Sequence, residues 1–249
     1  MLAQFFLIAF ALAWLITVPI ALQTQGFVAA RVLPPPAQFL IGLAPLIAAW
    51  WVTRGTSERR PWLDRALRFR VSAPWYLVAI GLPWLVLGIA LGFDSATGRS
   101  LPTLGFDLQV AVVGVVWLIL AFGEEAGWRA LAFPEMMRAR GFWAASTVLG
   151  AVWCIWHYPR LFASPYLHFD ASGAAALAQF SLQILVANYL LCWLYLRTRS
   201  AIIPTLFHAS MNVVATVHSL SALDPAITVA LAAIALLVLA IDRKRLRAT

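Results

Sequence analysis

The chain has 249 residues, 63% of them hydrophobic and 11% charged, with a mean hydropathy of +0.85. That leaves too little polar surface to cover a water-soluble globule of this size, which excludes a soluble enzyme and indicates an integral membrane protein. The formal charge of +8 does not point to nucleic acid, because the basic residues lie in connections between apolar segments rather than on one face with interleaved aromatics.

A spanning helix needs about 20 mostly apolar residues, and the length leaves room for about eight. The expected spans are 2–22, 37–53, 74–93, 108–131, 142–162, 174–196, 201–218 and 222–241. The expected fold is therefore all-α: a polytopic membrane helix bundle of about eight transmembrane helices, forming one integral membrane domain over 1–249. The first segment lacks the basic start of a secretory signal and exceeds its usual apolar length, so it reads as a retained helix. Pro34-Pro35-Pro36 closes the first connection, and the second, from Arg54 to Arg70, holds six arginines against Glu58 and Asp64. Its positive excess places it in the cytoplasm. With eight spans, Arg138 and Arg140, Arg197 and Arg199, and the tail Arg243-Lys244-Arg245-Leu246-Arg247 fall on that same side. The turn-rich Asp94 to Gly105 and Asp224-Pro225 fall opposite. Both termini are thus expected in the cytoplasm, and heavy use of Arg over Lys suggests a bacterial inner membrane. Cys154 and Cys192 lie in apolar segments without metal-site spacing and read as small buried hydrophobes.

The fourth span contains three charges, Glu124, Glu125 and Arg129. Ionisable groups inside a spanning helix are costly, face the bundle interior and mark a functional site by default. Gly141 is the expected turn between the fourth and fifth spans, being free to adopt helix-ending conformations. Glu124 lies about as far before it as His157 lies after it, roughly 24 Å along each arm of an antiparallel hairpin, so the two side chains reach one depth. The cost of this arrangement is that Trp128 to Trp143 must stand beyond the membrane as a helical hairpin. His208 enters from the same side at a similar level, placing the site in the cytoplasmic half of the core. Glu125 and Arg129 are spaced to pair, Trp153 and His157 share a face, and so do His208 and Asn212. Glu124 is rotated by about 100° from Glu125, so the two carboxylates have separate duties.

A carboxylate beside a histidine in a walled cavity can hold and deprotonate water, the general-base half of peptide hydrolysis. A second histidine with an amide can donate to the oxyanion that forms. Equally, Glu124, His157 and His208 could hold a divalent metal such as Zn2+ that activates the water. No HExxH, nucleophile elbow or paired intramembrane aspartates are present.

At this point the chain resembles a known family. Glu124-Glu125-Ala126-Gly127-Trp128-Arg129 is similar to the EExxxR motif of the CAAX protease and bacteriocin-processing (Abi) family of intramembrane proteases. Trp153 through His157 resembles its FxxxH motif, and His208 through Asn212 its HxxxN motif. The likeness covers about residues 110–220, which would form the catalytic core. It implies that Glu124 is the catalytic glutamate and that His157 shares the attacking water. His208 and Asn212 would stabilise the tetrahedral intermediate, while Glu125 and Arg129 order the site, with Trp153 in support. Eukaryotic relatives of this family remove the last three residues of prenylated CAAX proteins, and bacterial members are linked to bacteriocin immunity or peptide processing. Two departures stand out: Trp153 replaces the usual Phe, and Ala130 stands where a Gly commonly follows the Arg.

The expected function is an intramembrane endopeptidase cutting near the end of a membrane-bound or lipidated peptide, with no cofactor expected and anionic lipid near the basic loops. Two other readings are a non-catalytic immunity or scaffold protein, and a transporter with the carboxylates as a proton relay. The transporter reading lacks the paired broken half-helices of such sites. His168 and Asp170 are expected in a solvated outer loop, and His218 at an interface. Gln179, Gln183 and Asn188 are expected to bond between helices.

Overall fold

With no water in the bilayer to satisfy backbone N–H and C=O groups, a spanning segment must bond internally, and among the described residues the apolar segments do so as helices. The computed structural model describes residues 1–28, 33–99, 107–164, 167–168, 170–217 and 224–247, apart from the side chains of residues 35, 36 and 171. Helix α1 is Leu2–Thr24; a 3₁₀ stretch, Pro35–Leu43, runs into α2, Ala44–Thr53. Then come α3 (Arg59–Ala66), α4 (Ala73–Ala96) and α5 (Leu108–Gly127), and a π-helical turn (Trp128–Ala132) leads into α6 (Phe133–Phe162). The chain continues through α7 (Ala171–Thr198), α8 (Ile202–Val217), α9 (Pro225–Ile241) and the short α10 (Arg243–Arg247). No strand occurs among the described residues.

Among the described residues, four helical stretches are long and apolar enough to cross a membrane, and Leu108–Phe162 is one of them. That stretch is two antiparallel arms, because Gly141 breaks it with φ 70° and ψ 173°, a conformation that residues with a Cβ rarely adopt. The shorter apolar helices Ala37–Thr53, Ile202–Val217 and Pro225–Ile241 complete the segments read from hydropathy. Large apolar side chains such as Leu7, Leu15, Leu77, Leu108 and Leu236 are exposed, as a protein surrounded by lipid tails requires. His218 and residues 100–106 of the turn-rich connection lie outside the described residues.

The hairpin expected over Trp128 to Trp143 forms, but its first half does not stand clear of the rest. Every residue from Trp128 to Phe133 is buried, and of the charged residues only Arg138 and Arg140 are exposed. Part of the cover is α3, which hydropathy does not reveal because only Trp62 and Ala66 on it are buried among charged neighbours. Trp62 Nε1 donates to Ala126 O at 2.8 Å, and Arg65 Nε donates to Ala130 O at 2.8 Å. Both carbonyls belong to the end of α5 and its π turn, where the helical hydrogen-bond ladder changes register.

Helix α5 is the central rod, packed on α2 and α8. Its close approach to α2 depends on a missing side chain: a Cβ on Gly127 would lie 2.6 Å from Pro45 O and 2.5 Å from Pro45 Cβ. Small residues of this kind let membrane helices bring their backbones together. Helix α1 seals the far side of α6 through reciprocal bonds, Trp156 Nε1 to Ala9 O at 3.1 Å and Trp14 Nε1 to Trp156 O at 3.2 Å. Between α7 and α9, Gln179 Nε2 donates to Thr228 Oγ1 at 2.7 Å, and that hydroxyl donates to Gln183 Oε1 at 3.2 Å. Gly127→Val is expected to lower the thermal unfolding midpoint of the detergent-solubilised protein, by the equivalent of about 1–3 kcal/mol for overpacking; a midpoint equal to wild type would show that the contact can relax.

Candidate active site

The π turn after α5 carries Arg129 into the interior, where it is fully buried. A bare guanidinium there would be prohibitive, so its partners matter. Its Nη1 donates to Glu125 Oε1 at 2.9 Å and its Nη2 to Asn188 Oδ1 at 2.8 Å. Its Cζ lies 4.4 Å from the centre of the Trp153 ring. Asn188 is itself fixed, its Nδ2 donating to Ser146 O at 2.7 Å. The same Glu125 oxygen also receives His208 Nδ1 at 2.9 Å. One carboxylate on α5 thereby fixes a cation on the π turn and an imidazole on α8, while α7 holds the cation from the other side.

Glu124, one residue earlier, turns to a different face. Its Oε2 accepts from Trp153 Nε1 at 2.8 Å and lies 3.9 Å from His157 Nε2. His157 Nδ1 donates to Trp153 O at 2.8 Å, which leaves Nε2 without a hydrogen in the neutral ring. The His157 ring is walled by Trp156, Trp153 and Phe180, with centroids at 4.7, 5.2 and 5.6 Å. The Trp in place of the family's Phe therefore does more than fill space: its indole N–H aims the carboxylate.

Glu124, His157, His208 and Asn212 line one cavity of about 320 Å³, with walls that include Phe180, Phe207 and Met211. Trp153, Trp117, Gln183 and Arg160 also face it. The depth argument from the hairpin is met: Glu124 and His157 come together, and His208 and Asn212 join them. Glu125 and Arg129 stand behind the cavity and hold its wall. His168 and Asp170 are exposed and apart from it, Asp170 capping α7 by accepting from Gly173 N at 2.9 Å. Gln183 and Asn188 bond between elements as expected, but the partner of Asn188, a buried arginine, was not foreseen. Arg160 was missed as a cavity residue, although its position three after His157 on one helix places it on the same face.

Among the described residues, no three His, Cys, Asp or Glu side chains gather so as to hold a metal ion. His208 Nδ1 is held by Glu125 and His157 Nδ1 by the Trp153 carbonyl, which leaves Nε2 of each ring free. With no such group of three converging as placed, no step is routed through a metal below. Asn188→Ala is expected to leave Arg129 Nη2 without its partner, at a cost of about 1–3 kcal/mol. A drop in the thermal midpoint of the purified protein checks this, and an unchanged midpoint would mean that water replaces the amide.

Residues 106–214 match the family model of type II CAAX prenyl endopeptidase Rce1-like proteins. A CAAX prenyl protease 2 from Methanococcus maripaludis is 30% identical over 113 residues, covering 43% of this chain and 42% of that protein. The aligned region is thus less than half the length of that relative. All three motifs fall inside the matched residues, so the resemblance they carry holds over 106–214.

Proposed function

We propose that this integral membrane protein is an intramembrane endopeptidase of the CAAX type, hydrolysing a peptide bond near the carboxyl end of a prenylated, membrane-bound substrate. The observation that carries this reading is the 3.9 Å approach of His157 Nε2 to Glu124 Oε2 on a cavity shared with His208 and Asn212. That separation is too long for a direct hydrogen bond and suits a water held between two acceptors. Such a water donates one hydrogen to Glu124 and one to His157 Nε2, so its lone pairs face the cavity, where a peptide carbonyl would lie.

As the water oxygen bonds to the carbonyl carbon, its proton passes to Glu124, and the carbonyl oxygen becomes an oxyanion. His208 and Asn212 are the donors for that charge. With its Nδ1–H given to Glu125, His208 donates through Nε2 when the ring carries both protons, and the Glu125 carboxylate stabilises that imidazolium. Collapse of the intermediate breaks the C–N bond, and the proton held by Glu124 goes to the departing amine. The products are a new carboxylate on the lipid-bearing fragment and a short peptide with a free amino end. Trp153 keeps the carboxylate aimed throughout, and the apolar walls keep bulk water from competing with the positioned one. The basic Arg54–Arg70 connection and the Arg243–Arg247 tail would face anionic lipid on the cytoplasmic side of a bacterial inner membrane, bringing the site to substrates anchored in that leaflet.

The test is cleavage of an S-farnesylated peptide ending in a CAAX sequence by purified protein in lipid vesicles. Glu124→Gln is expected to lower kcat by about 10²–10⁴-fold, the span of a general base, and His157→Ala by about 10²-fold. Retention of wild-type cleavage by Glu124→Gln would end the assignment, and unchanged function in cells at normal abundance would favour a non-catalytic role. Prolonged treatment with a metal chelator is expected to leave kcat unaltered. Loss of activity restored by Zn2+ would overturn the direct activation of water by Glu124 and His157.

A further inference from the structure

Arg160 faces the same cavity as Glu124 but has no part in splitting the peptide bond. It stands on the last turn of α6, three residues beyond His157, and so lies on that face about 4.5 Å further along the axis. Its guanidinium lies over two ring faces, Phe39 at 5.6 Å and Trp117 at 5.8 Å. Among the described residues it has neither an ion pair nor a hydrogen bond, in contrast to Arg129, which is held by a carboxylate, an amide and an indole. Glu124 attracts Arg160 across the cavity without bonding to it, so the N–H groups of the guanidinium remain available to an anionic group that enters beside it. Arginine is the side chain whose planar fork takes a carboxylate through two parallel bonds.

We propose that Arg160 receives the free carboxylate at the C-terminus of the peptide substrate, so that the enzyme measures its cut from the end of the chain. This rests on the endopeptidase reading and extends it to the part of the substrate that leaves. A departing peptide of three residues, extended, spans about 10 Å from the scissile carbonyl to its terminal carboxylate. The axial offset of Arg160 from His157 together with the reach of the arginine side chain covers a separation of that order. Neither the Trp117 ring nor the Phe39 ring can accept a directed carboxylate-like pair of bonds, so the N–H groups of the guanidinium are left to a ligand.

The experiment compares one S-farnesylated peptide as the free acid and as the C-terminal amide. Wild-type protein is expected to cleave the acid with a kcat/KM about 10–100-fold above the amide, the worth of a charge-assisted bond. Arg160→Met is expected to treat acid and amide alike, and Arg160→Lys to keep part of the preference. Wild type handling both peptides equally, or Arg160→Met retaining the full preference, would overturn the proposal. Should Arg160→Met fail to purify folded, Arg160→Gln supplies the same comparison. The Kd values of the two peptides for Glu124→Gln protein, with and without Arg160→Met, separate this inference from the catalytic one. Tighter binding of the acid that disappears with Arg160 supports the carboxylate site even if no variant cleaves, whereas equal Kd values for acid and amide in the Glu124→Gln protein defeat it.

Discussion

The buried ion pair between Arg129 and Glu125 is the constraint on which this site is built. Taking two charges out of water costs several kcal/mol per ion, and the mutual attraction repays that only when the remaining hydrogen-bonding capacity is filled. Here it is filled in part, by an amide on α7 and an imidazole on α8 with an indole face on α6 beside the cation, while Glu125 Oε2 and Arg129 Nε have no hydrogen-bond partner among the described residues. Four elements are thereby held in register by one cluster of charge, at a depth where no solvent would forgive a displaced helix. The cluster adds little net stability by this reasoning. It selects a single arrangement.

The two adjacent glutamates show how position on a helix divides labour. Glu125 faces inward toward the ion pair and His208; Glu124, about 100° round the axis, faces the cavity and the indole of Trp153. Both are buried, yet only one borders the space a peptide would fill. The aromatic wall around His157 complements this by leaving one ring nitrogen directed at the carboxylate while the other is tied to its own helix.

Much of this was readable from the residues themselves. Hydropathy located the apolar segments because the bilayer imposes one length on all of them. The charges inside the fourth span pointed to the interior of the bundle because ionisable groups there are costly without partners. Nearly equal distances on either side of Gly141 put Glu124 and His157 at one level of the hairpin. What escaped depended on knowing which helix lies beside which. Asn188 reads as one more polar residue until α7 is placed beside the π turn, and α3 disappears among arginines because its two buried residues make no periodic stripe. The hydrogen bond from Trp153 to Glu124 was also beyond the motif, since the family's Phe has no hydrogen to give.

The reversal at Gly141 makes the Leu108–Phe162 stretch a caliper, with Glu124 on one jaw and His157 on the other. Adding or removing a single residue in either arm would slide one jaw by about 1.5 Å and swivel it by about 100°, taking the carboxylate out of the cleft altogether. Exchanging one lipid-facing apolar residue for another leaves the jaws where they are. The arms of this hairpin are accordingly free to vary in composition and rigid in length, so that the count of residues between acid and imidazole is itself what brings the two side chains to one cavity.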